Sequence, residues 1–151
     1  MEDRMPRDYE ISTARERLDI ERVHRFLSTQ AYWSPGVARE TVERSIENSL
    51  CFGVYTREGE QVGFARVVTD YATFAWVADV YIEAEHRGDG LGKRLAGTIF
   101  AHPDLHGLRR WMLATADAHG LYRRFGFEEL KGVQRFMALE SGAAAKLCSE
   151  G

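Results

Sequence analysis

Cysteine, proline, long apolar runs and a strong charge of either sign are all scarce here, and each scarcity excludes something. The 151 residues include two cysteines and three prolines. Cys51 lies in an apolar stretch and Cys148 in a small-residue tail, so no disulfide framework is expected and both thiols point to a reducing compartment. No stretch approaches the ~20 apolar residues of a membrane helix. The opening "MEDRMPRDYE" has no apolar signal core, so the expected location is cytoplasmic. A net charge of −3 argues against binding to bulk nucleic acid. What is present is ordinary for a folded domain: 44% hydrophobic and 28% charged residues. At this length a single domain over residues 1–140 is expected, with 141–151 as a frayed tail.

Periodicity predicts the elements. "DYEISTAR" (8–15) alternates weakly and reads as a strand. In "DIERVHRFLSTQ" (19–30), Asp19 is a capping residue and Ile20, Val23, Phe26 and Leu27 fall on one helical face. A second helix is expected over 37–49, after "AYWSPG". Residues 50–70 read as a hairpin turning at "REGE". A third strand is expected over 72–85, with Phe74, Trp76, Ala78, Val80 and Ile82 on one face and Ala75, Val77, Asp79, Tyr81 and Glu83 on the other. A helix (90–103), a strand (108–117), a short helix (118–127) and a last strand (128–140) follow. This order predicts an α/β fold: a mixed, mostly antiparallel, twisted sheet with helices on both faces.

Three glycines, Gly88, Gly90 and Gly92, sit in "EHRGDGLGKRL" between the third strand and the next helix. A glycine turn entering a helix is an anion site, because first-turn N–H groups lack intrahelical partners and the dipole favours negative charge there. A Walker A loop fails on spacing, since Arg94 stands where Ser or Thr must hold magnesium. A dinucleotide fingerprint fails because Lys93 occupies its third glycine position and a β-meander precedes it.

The pattern R-x-x-G-x-G, here Arg87-Gly88-Asp89-Gly90-Leu91-Gly92, resembles the pyrophosphate-binding motif of the GNAT superfamily of acetyl-CoA-dependent N-acetyltransferases. "AHGLYRRFGFEEL" resembles that family's second signature, and the likeness spans residues 50–140. It implies acyl transfer from acetyl-CoA to an amine, with no metal. The turn from Arg87 to Gly92 would hold the pyrophosphate, with Lys93 and Arg94 near the ribose phosphate. The backbone of Val80, Tyr81 and Ile82 would lie at the thioester. Tyr122 matches the signature tyrosine, and its phenol suits a proton donor to a departing thiolate. Asp79 is the leading candidate for a base, with Glu83, Asp117 and His119 behind it. Many family members carry a cofactor-contacting asparagine just before this short helix; this chain reads "TADAH" there, with Asp117 at or near that place, so Asp117 and His119 are carried as cofactor-side candidates.

Tyr32 and Trp33 are expected to wall an acceptor pocket, and the residues name no particular amine. Two other readings stand beside this one. Cys51 with His119 and Asp117 would form a nucleophilic relay, although a buried structural thiol fits Cys51 better. A non-catalytic acetyl-CoA sensor would keep the turn without using Tyr122. Neither a membrane nor a nucleic-acid partner is expected, and the 128–140 strand offers an edge for a homodimer.

Overall fold

The computed structural model describes residues 8–140; the expected tail and Cys148 lie outside the described residues. Five strands form one sheet in the order β1-β2-β3-β4-β5, so every strand lies beside its neighbours in the chain. They are β1 (Tyr9–Ser12), β2 (Leu50–Thr56), β3 (Gln61–Thr69), β4 (Phe74–Ile82) and β5 (Arg110–Leu113). The first four pair antiparallel and β5 pairs parallel to β4, so the sheet is mixed and mostly antiparallel, as expected. The β2–β3 hairpin turns over residues 57–60, on "REGE".

Helices cover both faces. The α1 (Ile20–Thr29) and α2 (Arg39–Glu47) helices lie on one side. Asp19 caps α1 by accepting from the Arg22 amide at 3.1 Å. Val23, Phe26, Leu27, Val42 and Ile46 from these helices bury with Phe64 and Tyr81 of the sheet. On the other face Leu91, Leu95 and Ile99 of α3 (Leu91–Phe100) bury with Phe52, Val54, Val67, Ala75 and Ile82. The expected spacing of four along α3 is therefore its core stripe.

Two expectations are corrected. The segment 128–140 is not a strand; among the described residues no strand follows β5. Gly132 takes a left-handed φ of 66° and a 3-10 turn follows at Val133–Arg135, which breaks any two-residue alternation at its centre. Leu130, Val133, Phe136, Met137 and Leu139 remain exposed. The expected dimer edge on this segment loses its basis with it.

The face pattern of β4 also differs. Phe64 pairs with Tyr81 and Arg66 with Ala78, so Asp79 and Val80 together oppose Ala65. This is a β-bulge, and it shifts the alternation by one residue. Ala75 therefore buries in the same core as Ile82, with Val80 packed against it, whereas Tyr81 buries on the α1/α2 side. Trp76 and Ala78, opposite Val68 and Arg66, share the α1/α2 side with Phe64. A regular strand would have put Trp76 on the same face as Ile82.

Candidate active site

The site begins where a strand pair stops. Only Phe74 to Val77 of β4 pair with Arg110 to Leu113 of β5. Beyond Val77 and Leu113 the two strands part, and β4 runs on to Ile82. The bulge increases local twist at the point of parting. Asp79 sits in it with φ 54°, a left-handed value uncommon outside glycine but tolerated by Asp. Between the parted strands lies a cavity of about 910 Å³, lined by the β4 run from Trp76 to Ile82, by Leu113–Thr115, by the glycine turn and by Tyr122. That volume lies in the range of small-molecule and cofactor sites. The two strands are thus splayed before the glycine turn, with Val80, Tyr81 and Ile82 along the gap.

At one end the turn leads into α3. Gly88 has φ 94° and Gly90, the residue before the helix, has φ 74°. Both values favour glycine. A Cβ on Gly88, Gly90 or Gly92 would meet no atom within 4 Å, so this stretch of backbone faces open space, and all three glycines line the cavity. The residues present therefore fit an elongated anionic ligand lying along the turn.

The side chains around the turn divide by task. Arg87 Nε donates to the Ile82 carbonyl at 2.7 Å, tying the loop back to the strand it leaves. Arg94 Nη1 donates to the Tyr9 carbonyl at 2.9 Å and braces β1. Lys93 and Asp89 do not line the cavity, and Lys93 is exposed. Leu91 contributes backbone only, since its side chain is in the core.

Tyr122 stands at the other end, on α4 (His119–Arg123). It is 7% exposed and lines the cavity. Its ring packs edge-on against Phe127 and Phe100, and no hydrogen bond ties its hydroxyl among the described residues. Burial, and secondarily the Asp117 carboxylate, push its phenol above the ordinary value. The phenol is therefore held protonated at neutral pH. The loop before α4 is ordered by Thr115, whose hydroxyl accepts from the Ala118 amide at 3.1 Å. Asp117 lines the cavity but is exposed. His119 lies outside it and borders a second, smaller cavity beside β5, so the two are not brought to one task.

The α1–α2 loop spans the cleft. Trp33 Nε1 donates to Asp79 Oδ1 at 2.9 Å, on the β4 lip. The Tyr32 hydroxyl accepts from the Ala116 amide at 3.1 Å, on the β5 lip. The two rings meet edge-on at 5.0 Å. The other Asp79 oxygen accepts from Arg66 Nε at 2.8 Å, and Arg66 Nη1 donates to Ser49 Oγ at 3.1 Å. Asp79 thus has both oxygens engaged. Glu83 is engaged as well, in a two-point pair with Arg22 of α1, whose guanidinium also reaches Glu60. These carboxylates push the Arg22 guanidinium up from its already high value. The Tyr81 ring is 5% exposed and stacks on Phe26 at 3.7 Å, and both residues border the cavity.

Cys51 is 5% exposed and packs under α1 and α2, and it lines neither cavity. Burial pushes its thiol up to about 11, the opposite of an activated nucleophile. The relay with His119 and Asp117 is not assembled. The sequence reading did not identify Arg66, Thr115 or Trp76 as site residues. Arg66 carried no motif, and only the bulge aligns it with Asp79. Strand alternation put Trp76 on one face with Ile82 and gave it no role. Thr115 was the most accessible, as a Thr three residues before a short helix. Among the described residues no group of three or more His, Cys, Asp or Glu side chains is arranged to hold a metal. No helix there is long and apolar enough to cross a membrane.

Comparison with known proteins agrees with this geometry. The family model described as the acetyltransferase (GNAT) domain matches residues 47–129. A Gibberella zeae protein named as an acetyltransferase is 31% identical, over 90% of this chain and 92% of its own length. A solved structure from Xanthomonas campestris, named as an acetyltransferase of the GNAT family, is 47% identical. It superposes with a TM-score of 0.85, covering 89% of this chain and 94% of that one. Glucosamine-6-phosphate N-acetyltransferase from Arabidopsis thaliana shares the fold at 16% identity and a TM-score of 0.60, over 88% and 98%. The chain belongs to the GNAT acetyltransferase family and is an acyltransferase. Members of that family use acetyl-CoA as cosubstrate with an acceptor.

Proposed function

We propose that the protein moves an acetyl group from acetyl-CoA to a primary amine by direct attack, with both substrates bound together and Tyr122 as general acid. One observation carries the reading: the glycine turn, the unpaired run of β4 and Tyr122 line a single continuous cavity. Acetyl-CoA supplies the activated acyl group. The chain's own groups do the rest. Amides at the start of α3 and around Gly88 to Gly92 take the pyrophosphate, and Arg87 fixes the turn that presents them. The β4 edge from Val80 to Ile82, left without a β5 partner, lies along the pantetheine arm; backbone groups there that neither β3 nor Arg87 engages hold the arm and polarise the acetyl carbonyl. Tyr122, protonated and without a competing partner, gives its proton to the leaving sulfur. Asp117 lies close enough to bias that phenol. Asp79 keeps both oxygens in use, so the reading assigns it to positioning; the amine arrives neutral or loses its proton to solvent.

The test is thiol release from acetyl-CoA with amine probes, in the parent and in Tyr122→Phe. Removal of a general acid lowers kcat by about 10²–10⁴-fold, with acetyl-CoA affinity unchanged. Unchanged turnover in Tyr122→Phe would remove the acid role.

A further inference from the structure

We infer that the acceptor is a monoamine carried on a flat aromatic body, and that Tyr32, Trp33 and Trp76 read that body. The inference rests on the acetyl-transfer reading above and names its second substrate. The bulge in β4 turns Trp76 to the α1/α2 side, the side on which the α1–α2 loop crosses the cleft. Tyr32, Trp33 and Trp76 all line the one cavity. Tyr32 is 59% exposed and Trp33 42%, yet each is fixed by a hydrogen bond to a different lip. Beyond their one edge-on contact with each other, these rings keep exposed surface toward the cavity. Such rings lose little freedom when a ligand stacks on them, and aromatic contacts favour offset or edge-on partners.

Charge narrows the class further. The ionisable Asp, Glu, Lys and Arg side chains lining the cavity are Arg66, Asp79, Arg87 and Asp117. Asp79 is ion-paired with Arg66 at 2.8 Å, with the Asp79 side chain 14% and the Arg66 side chain 19% exposed. A polyamine or an aminoglycoside brings several ammonium groups, each needing a carboxylate, and this cavity keeps only exposed Asp117 outside an ion pair. A monoamine brings only its reacting nitrogen and needs no such partner.

The experiment uses the full chain with four probes: 2-phenylethylamine, tryptamine, ethanolamine and spermidine. Thiol release gives kcat/KM for each, and thermal melts with acetyl-CoA run in parallel. The aromatic amines are expected to exceed the other two by tenfold or more. Trp33→Leu and Trp76→Leu, which keep apolar volume and lose the flat face, are expected to shrink that preference to within threefold while the acetyl-CoA melting shift stays. Trp33→Phe keeps a ring and is expected to retain the preference, which separates stacking from a folding defect. Equal or better turnover of spermidine or ethanolamine overturns the inference, as does a preference that survives both leucine variants. An acetyl-CoA melting shift with none of the four amines acetylated also overturns it, and leaves the cosubstrate reading standing. No melting shift with acetyl-CoA would instead sink the acetyl-transfer reading itself.

Discussion

Asp79 shows how one residue serves several constraints. It occupies a left-handed backbone position, accepts from Trp33 and pairs with Arg66. Asn tolerates the same backbone and still accepts from Trp33, but loses the ion pair. Asp79→Asn is therefore expected to raise the acceptor KM several-fold with an unshifted pH profile of kcat. A kcat loss of 10²-fold or more with a flattened acidic limb would make Asp79 a base after all. Cys51 gives a second residue-scale prediction. Burial pushes its folded thiol up to about 11, above the ordinary cysteine value. A raised value means that the stabilisation from burying the neutral thiol is complete below the unfolded value and fades as pH climbs through about 11. In a Cys148→Ser background, iodoacetamide at pH 9 is expected to label unfolded protein at least tenfold faster than folded protein. Equal rates would mean that the thiol is exposed and ionised. Cys51→Ala is expected to keep kcat; loss of all activity would restore the relay.

At the scale of the element, the sequence spoke clearly wherever the signal was local. The Asp19 cap, the "REGE" turn and the α3 stripe were legible because neighbours in the chain decide them. The bulge was not, because β4 reads as an unbroken alternation and the extra residue shows only against β3. Segment 128–140 was misread for a related reason: its apolar residues suggested a strand, while Gly132 turned the chain aside. The glycine turn was found by motif, and its three glycines separate into two kinds. Gly90 needs its positive φ, so Gly90→Ala is expected to destabilise by about 1–2 kcal/mol. Gly92 is helical with open space around it. Gly92→Ala is expected to raise the melting temperature, since Ala exceeds Gly in a helix by up to about 1 kcal/mol, yet to weaken acetyl-CoA by placing a methyl group where the backbone meets the ligand. Calorimetry on the two variants checks both signs; unchanged affinity in Gly92→Ala would move the ligand off this turn.

For the whole molecule, the placement of Tyr122, the glycine turn and β4 around one cavity was legible only through resemblance to a family, because composition carries no trace of a splayed pair. Binding couples to the stability of everything that lines that cavity. A ligand present at a hundred times its dissociation constant adds about 2.7 kcal/mol, worth roughly 5–10 °C in melting temperature for a chain of this size. Hydrogen exchange with and without acetyl-CoA is expected to gain protection along β4, α3 and α4, and to change little in β1 and β2. A uniform gain would point to binding elsewhere.

The strand order also bears on how the chain assembles. Strands β2 through β4 meet through successive hairpins, whereas β5 reaches β4 only after a crossover that carries α3. Local pairings close early and cheaply in loop entropy; a parallel partner brought in by a crossover closes late. The lip formed by β5 therefore closes after the β2–β4 meander. A nascent chain still lacking β5 would have its meander in place and no cleft, so competence to bind would arrive with the final third of synthesis.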